Sequence, residues 1–454
     1  MNNIRVMDVI DSSRFNKMHA TVLFWCIALI LFDGYDLVVF GSVISALKEE
    51  WQVSTTLLGL ISSLTLVGSL IGALMCGMAA DKIGRKKVLL ICVAIFSVFT
   101  LLTGLTDSII LFTIYRFMAG IGLGGLPPLL VTLTSEYSPK RIRNIMVGIM
   151  FSGYSIGGIA VSVFGIWVIP NLGWQWMFFI GAIPLLMLPL MIKTLPESVY
   201  FYVKEQRYEE AKEVLHRLNP SYIPKNEDRL VANMESKGLP VTQLFKEGRG
   251  VATVLFWTIC FMGLLLVYGL STWLPQMMIS AGYELTSSLL FLLSLNIGAI
   301  IGSITGGYLA DRIGSKRVLS VLYTIGGVCL LMLGFNPDTW VLYMLTAFAG
   351  AASIGAQNLN NAFISSFYPP YMRSTALGTA LSVGRIGAII GPSLGGYLLS
   401  GAFPVYASFL VFAIPALIAA ITVSSIPLKS SFGYQNKKLE KNNPIRKRAN
   451  IING

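Results

Sequence analysis

The sequence predicts an all-α membrane protein with twelve transmembrane helices in two six-helix halves. Three observations predict it: an apolar composition, its recurrence in stretches of span length, and an internal repeat. Hydrophobic residues make up 54% of the 454 and charged residues only 12%, with a mean hydropathy of +0.70. A soluble domain of average usage carries roughly twice that charged fraction. The net charge of +12 raises the question of nucleic acid. The basic residues, however, sit in short segments between apolar runs, as membrane orientation leaves them. The expected surroundings are therefore a lipid bilayer, with no nucleic-acid partner.

A span needs about 20 apolar residues. Six such stretches, Met18–Ala46, Thr55–Ala80, Val88–Leu105, Ile109–Ser135, Ile145–Ile169 and Trp174–Ile192, place the N-terminal half at residues 1–192. Six more, Val251–Ser280, Ser287–Ala310, Val318–Phe335, Thr339–Phe367, Thr375–Ser400 and Phe403–Ile426, place the C-terminal half at 251–427. Between them, residues 193–250 form a connector of mixed charge, with a short surface helix expected over Tyr208–Leu218. Residues 428–454 form a basic tail. Loops rich in Lys and Arg all fall on one side, including Lys82–Lys87, Lys140–Arg143 and Arg312–Arg317, which predicts both termini in the cytoplasm. Cys26, Cys76, Cys92, Cys260 and Cys329 lie in or beside apolar stretches without metal-ligand spacing, and read as small packing residues. No residue pattern calls for a cofactor or a metal, and neither His19 nor His216 lies in the middle of a span.

The repeat is explicit. Gly77–Leu89 (GMAADKIGRKKVL) has its counterpart in Gly307–Leu319 (GYLADRIGSKRVL), an offset of 307 − 77 = 230. The same offset pairs Pro139 with Pro369, Arg143 with Arg373 and Gly148 with Gly378. Parallel six-helix repeats suit alternating access around a site near the midplane. In each copy an Asp at a helix end (Asp81, Asp311) precedes a Gly and then basic residues, a cluster able to lock neighbouring helices in one state. Fixing topology is the simpler role for the same charges.

These motifs resemble those of the major facilitator superfamily. G-x-x-x-D-[KR]-x-G-[RK]-[RK] at Gly77–Lys86, its echo at Gly307–Lys316, Arg116-x-x-x-Gly120-x-Gly122-x-Gly124 and Pro196-Glu197-Ser198 carry the resemblance over nearly the whole chain. It implies the fold of that superfamily. It also implies conformational gating by Gly77, Asp81, Gly84, Arg85, Asp311 and Glu136, with Ser315 departing from the motif where the first copy has Arg85.

A charge within a span costs several kcal/mol and is a functional candidate by default. Asp33, Asp36, Arg116 and Arg385 are such charges, with Glu136 at the end of the fourth span. Counting about 1.5 Å per residue puts Asp33, Asp36 and Arg385 near the bilayer middle. Asp33 and Asp36 share one helical face, and adjacent carboxylates away from water resist ionising together, which suits a reversible proton carrier. Pairing with an arginine for assembly is the alternative. Arg385 can bind a carboxylate bidentately, or can instead serve as that partner. Arg116 is expected to support gating or proton coupling, and Glu136 to pair with Arg141 or Arg143. Tyr35, Tyr154, Tyr268 and Trp273 offer aromatic faces for a ring-shaped substrate, or simply pack. Gln357, Asn358, Asn360 and Asn361 form a polar run that should in part line a cavity. At the offset of 230, Asp33 faces Gly263, Asp36 Leu266, Arg116 Thr346 and Arg385 Ser155, so the scaffold is duplicated but these charges are not.

Asp33-Gly34-Tyr35-Asp36 resembles the hallmark of one branch of the superfamily, the aromatic acid:proton symporters. The resemblance implies proton coupling at Asp33 and Asp36, and substrate handling by Arg385, Arg116, Tyr35 and Asn358. It implies uptake of an aromatic carboxylate, benzoate first and hydroxybenzoate or muconate next, by a monomer in a bacterial inner membrane. A proton-driven exporter of small organic molecules is the alternative, and an enzyme is disfavoured for want of a nucleophile–base pair.

Overall fold

The computed structural model describes residues 2–225, 228–231, 241–335, 337–369, 372–401 and 403–432. The expected cluster of basic residues between Lys437 and Arg448 lies outside them. Among the described residues twelve helices are long and apolar enough to cross a membrane. They are Lys17–Trp51, Thr55–Ala80, Arg85–Leu105, Ile109–Glu136, Ile145–Leu172 and Gln175–Thr194, then Gly250–Ser280, Leu285–Ile313, Ser315–Leu333, Thr339–Phe367, Arg373–Ser400 and Tyr406–Ser424. Every expected span is present. Several run past their apolar stretch because a helix continues until the backbone is made to turn. The second helix extends to Ile83 and stops at Gly84, whose φ of 102° an L side chain rarely adopts. The eighth stops in the same way at Gly314, with φ 94°, and in both places the next helix starts one residue later.

Two spans are irregular. The sixth is broken into Gln175–Gly181 and Pro184–Thr194, where Pro184 has no N–H to continue the ladder. The tenth contains a π-helical turn at Ala351–Gly355, a feature frequent at functional sites. Large apolar side chains such as Ile110, Leu186 and Ile304 stand exposed on the outer faces, as lipid-facing residues must. Small residues let the helices approach inside. A Cβ on Gly72, Gly120 or Gly124 would collide with the backbone across the second and fourth spans.

By packing, the chain forms two compact units. The first holds Met1–Glu235 with Ser271–Asn296 and Gly395–Ser400, and the second Ser236–Leu270, Ile297–Leu394 and Gly401–Gly454. Within the first unit, Thr55 Oγ1 donates to the Gly396 carbonyl at 3.0 Å, and the Ser271 and Thr272 carbonyls lie against Gly41. The connector helix Tyr208–Leu218 has the bounds the sequence predicted. A layer built around it was not expected. Strand Asn2–Arg5 pairs in parallel with Asp228–Val231, and helix Val6–Asp11 buries Val6, Val9 and Ile10. Asn219 Nδ2 donates to Val9 O at 3.0 Å, and Asn16 Nδ2 to Leu218 O at 2.9 Å, which ties the N-terminal segment to the connector. Four-residue strands whose partner lies beyond six spans leave no local signal in the sequence. In the second unit, Phe256 packs edge-on against Phe363 and Phe367, and Thr253 Oγ1 and Tyr368 Oη lie 2.8 Å apart.

Candidate functional site

Each residue of Asp33-Gly34-Tyr35-Asp36 does something different. A Cβ on Gly34 would collide with the Tyr154 carbonyl, and one on Gly157 with Leu31 O, so the two glycines bring the first and fifth spans into backbone contact. Tyr35, read from the sequence as an aromatic face for substrate or as packing, packs: it is 1% exposed, and its hydroxyl donates to Met177 O in the sixth span at 2.8 Å. Its ring also lies beside Gly181. Asp36 accepts two hydrogen bonds from Arg116, at 2.6 and 3.0 Å, from Nη1 and Nη2. Asp33, one turn earlier, is only half-buried.

The Asp36–Arg116 pair is 3% and 2% exposed. Two charges so far from water hold together only with tight geometry, which the bidentate fork supplies. The guanidinium also lies 5.8 Å from the Phe40 ring centre and 5.6 Å from that of Phe178, within cation–π range. Its Nε has no hydrogen-bond partner among the described residues. The outcome for Arg116 is thus engagement with Asp36 rather than an open face toward substrate. Phe40 and Phe178 were not singled out in the sequence, where nothing distinguishes them from other aromatics in apolar runs.

A second cluster lies at the end of the first unit that carries the N-terminal segment. Arg85 forms an ion pair with Glu136, whose Oε2 also accepts from Ser198 Oγ at 2.7 Å. The expected partners of Glu136 were Arg141 or Arg143. Arg143 instead pairs with Asp11 and donates from Nε to Ser138 O at 3.3 Å, folding back onto the turn that follows the fourth helix. Glu197 of the Pro-Glu-Ser segment is buried, and its Oε1 accepts from Lys86 N and Ser198 N, each at 2.9 Å. It therefore caps the third span, whose first N–H groups have no partner within the helix. Tyr137 Oη donates to Glu197 O at 2.6 Å, and burial pushes that phenol above its ordinary range, so it remains a donor. The structure thus brings Arg85, Glu136 and Gly84 together at Glu197 and Ser198, where Glu197 fills the space beside Gly84. Gly77 has nothing within 4 Å of where a Cβ would stand. The side chain of Asp81 lies outside the described ones.

In the second unit, Arg385 is half-buried, with no ion-pair or hydrogen-bond partner among the described residues. Asn358 is exposed on the tenth span and donates to Ser303 Oγ at 3.2 Å. Its neighbours Gln357 and Asn360 point inward, where both amides donate toward Cys260 Sγ. Asp311 is exposed, and Arg312 lies 4.4 Å over the Tyr308 ring.

Known proteins resemble the chain over most of its length. The profile of the family described as "Sugar (and other) transporter" matches residues 21–424. The benzoate transport protein of Acinetobacter baylyi is 42% identical, covering 92% of both chains. The gentisate transporter of Corynebacterium glutamicum is 36% identical, covering 90% of this chain and 87% of its own. The 4-hydroxybenzoate transporter of Acinetobacter baylyi is 33% identical over 90% of this chain and 91% of its own. Among solved structures, a D-xylose–proton symporter superposes with a TM-score of 0.74 at 17% identity, covering 91% of this chain and 99% of its own, a likeness of fold alone. The chain therefore belongs to the sugar (and other) transporter family of the major facilitator superfamily, in its aromatic-acid branch, a family of membrane transporters and not of enzymes.

Proposed function

We propose that this chain imports an aromatic monocarboxylate together with protons, benzoate first and hydroxybenzoates next, with the acyclic dicarboxylate muconate as a candidate outside that class. The setting is a bacterial inner membrane, with both termini cytoplasmic as the basic loops require and the monomer as the working unit. Support for the substrate class comes from relatives named for benzoate, gentisate and 4-hydroxybenzoate transport. Asp33 carries the proton, Arg385 receives the substrate carboxylate, and the Arg85–Glu136–Glu197 cluster holds one conformational state. The observation that carries the reading is the division of labour within one motif. Both oxygens of Asp36 are occupied by Arg116 and that side chain is buried, while Asp33 on the same helical face is half-buried. Proton entry offsets the negative charge of the substrate, and more than one proton per anion makes uptake electrogenic.

The test uses purified protein in liposomes with radiolabelled benzoate. An inward proton gradient drives accumulation in the wild type. Asp33→Asn loses accumulation but keeps benzoate counterflow, because exchange at equal pH needs no net proton movement. Full accumulation by that variant removes Asp33 from proton coupling. Benzoate driven out of the vesicles by the same inward proton gradient establishes the exporter reading instead.

A further inference from the structure

Cys76 in the second span and Cys92 in the third have their sulfurs 3.2 Å apart. Sequence spacing gave no hint of this, because the sixteen-residue separation crosses the turn at Gly84. A third helix is shaped around the pair. A Cβ on Gly125 of the fourth span would come within 2.6 Å of Cys92 Sγ and 2.7 Å of Cys76 Sγ, so only glycine leaves room for both sulfurs.

The repeat supplies an independent control. At the offset of 230, Cys76 corresponds to Gly306 and Cys92 to Leu322. A Cβ on Gly306 would stand 3.4 Å from Leu322 Cδ1, so the scaffold brings these two positions together in both halves. The second half fills the contact with Gly and Leu, and the first half with two thiols. Contact at these positions is a property of the fold, whereas the sulfur chemistry is particular to one copy. Cys76 is half-buried and Cys92 buried, which leaves one sulfur within reach of a small reagent and the other beside it as its resolving partner.

We propose that Cys76 and Cys92 are a vicinal dithiol that closes to an intramembrane disulfide when a membrane-permeant two-electron oxidant reaches it. A disulfide needs its sulfurs at about 2.0 Å, so closure asks for an approach of roughly 1.2 Å between helices already packed together. With an azodicarboxamide as oxidant, the Cys76 sulfur adds to one azo nitrogen. Cys92 sulfur then attacks Cys76 sulfur and expels the hydrazine. The two thiols lose two hydrogens, one S–S bond forms, and the azo group gains both hydrogens. Trivalent arsenicals bridge two adjacent thiols through two As–S bonds without oxidising them, and so report the open dithiol.

The experiment treats the whole protein in lipid vesicles with azodicarboxamide, then denatures it, counts free thiols with a maleimide and maps peptides by mass spectrometry without reduction. Of the five cysteines in the wild type, two become unreactive and appear as one cross-linked peptide pair, Cys76 with Cys92, while Cys26, Cys260 and Cys329 stay free. Cys76→Ser and Cys92→Ser each keep their four remaining thiols. Phenylarsine oxide gives a readout that needs no variant. In wild-type protein it shields Cys76 and Cys92 together from maleimide, and a dithiol rinse restores both. The proposal is overturned if the wild type keeps all five thiols under oxidant, if the cross-link joins a different pair, or if the arsenical shields neither sulfur.

Discussion

The two halves share a frame but not a chemistry. Lys86 Nζ donates to Ile192 O at 2.7 Å, and Lys316 Nζ donates to Ile426 O at 2.8 Å. Arg143 Nε donates to Ser138 O at 3.3 Å, and Arg373 Nε to Tyr368 O at 3.3 Å. These contacts satisfy backbone carbonyls at or just past helix ends, and the same ones recur in both copies. The ion pairs behave otherwise. Arg85 and Glu136 correspond to Ser315 and Ser366, and Asp36 and Arg116 to Leu266 and Thr346. Leu266 is buried in the second half without any charge nearby being required of it, and Thr346 Oγ1 simply donates to Leu342 O at 3.0 Å. A scaffold that stands with leucine and threonine at those sites does not need the charges to stand. Their place in one half only supports the proposed role for them in the transport cycle.

The strongest way to break that comparison is to treat the Asp36–Arg116 pair as structural. Arg116→Ala leaves an uncompensated carboxylate in the bundle and should cost about 3–5 kcal/mol of stability. Replacing both partners, Asp36→Leu with Arg116→Thr, imitates the second half and should recover most of that loss in thermal unfolding while uptake stays lost. If the double variant unfolds as readily as Arg116→Ala, the pair holds the fold and the comparison between halves is mistaken.

A sharper version concerns the partner of Asp33. Its counterpart is Gly263, and a Cβ there would collide with Gln357 Oε1 and lie 3.0 Å from Tyr323 Oη. Where one half carries a carboxylate on its own helix, the other inserts an amide from the tenth span into the gap. Gln357 Oε1 and Tyr323 Oη are both buried without a hydrogen-bond partner among the described residues. Gly263→Ala should therefore destabilise by about 1–3 kcal/mol through overpacking, read by thermal unfolding. A neutral result would mean that the amide can leave the gap and that the tenth span is loosely held there.

Most of the frame was legible in the sequence, and the reason is physical. Lipid demands long apolar helices, so each span announces itself over twenty residues, and the repeat doubles the signal at Gly77–Leu89 and Gly307–Leu319. The site was legible by type but not by pairing. A charge in an apolar run names itself, as Asp36 and Arg116 do, but which charge meets which depends on helix rotation and on crossings such as that of Gly34 with Tyr154. Glu136 shows the same limit, since nearness in sequence favoured Arg141 or Arg143 and the turn at Gly84 delivered Arg85 instead. The Cys76–Cys92 contact and the strand pair of Asn2–Arg5 with Asp228–Val231 were beyond reach for the same reason.

The smallest expected effect separates the two helix starts after the loop motifs. Glu197 caps the third span through Lys86 N, whereas the twelfth span is followed by Pro427-Leu428-Lys429, with no carboxylate in the matching place for the ninth. Losing a cap of this kind costs about 0.5–2 kcal/mol. Glu197→Ala should fall in that range, and Leu428→Ala within about 0.5 kcal/mol of the wild type, as an exposed side chain away from such features does. Glu197→Gln keeps an acceptor oxygen but removes the charge facing the helix dipole, worth about 0.3–1 kcal/mol. Thermal unfolding of all three should therefore rank Ala below Gln at position 197, with Leu428→Ala nearest the wild type. The opposite order at 197 would mean that an acceptor oxygen facing Lys86 N does not hold the start of the third span.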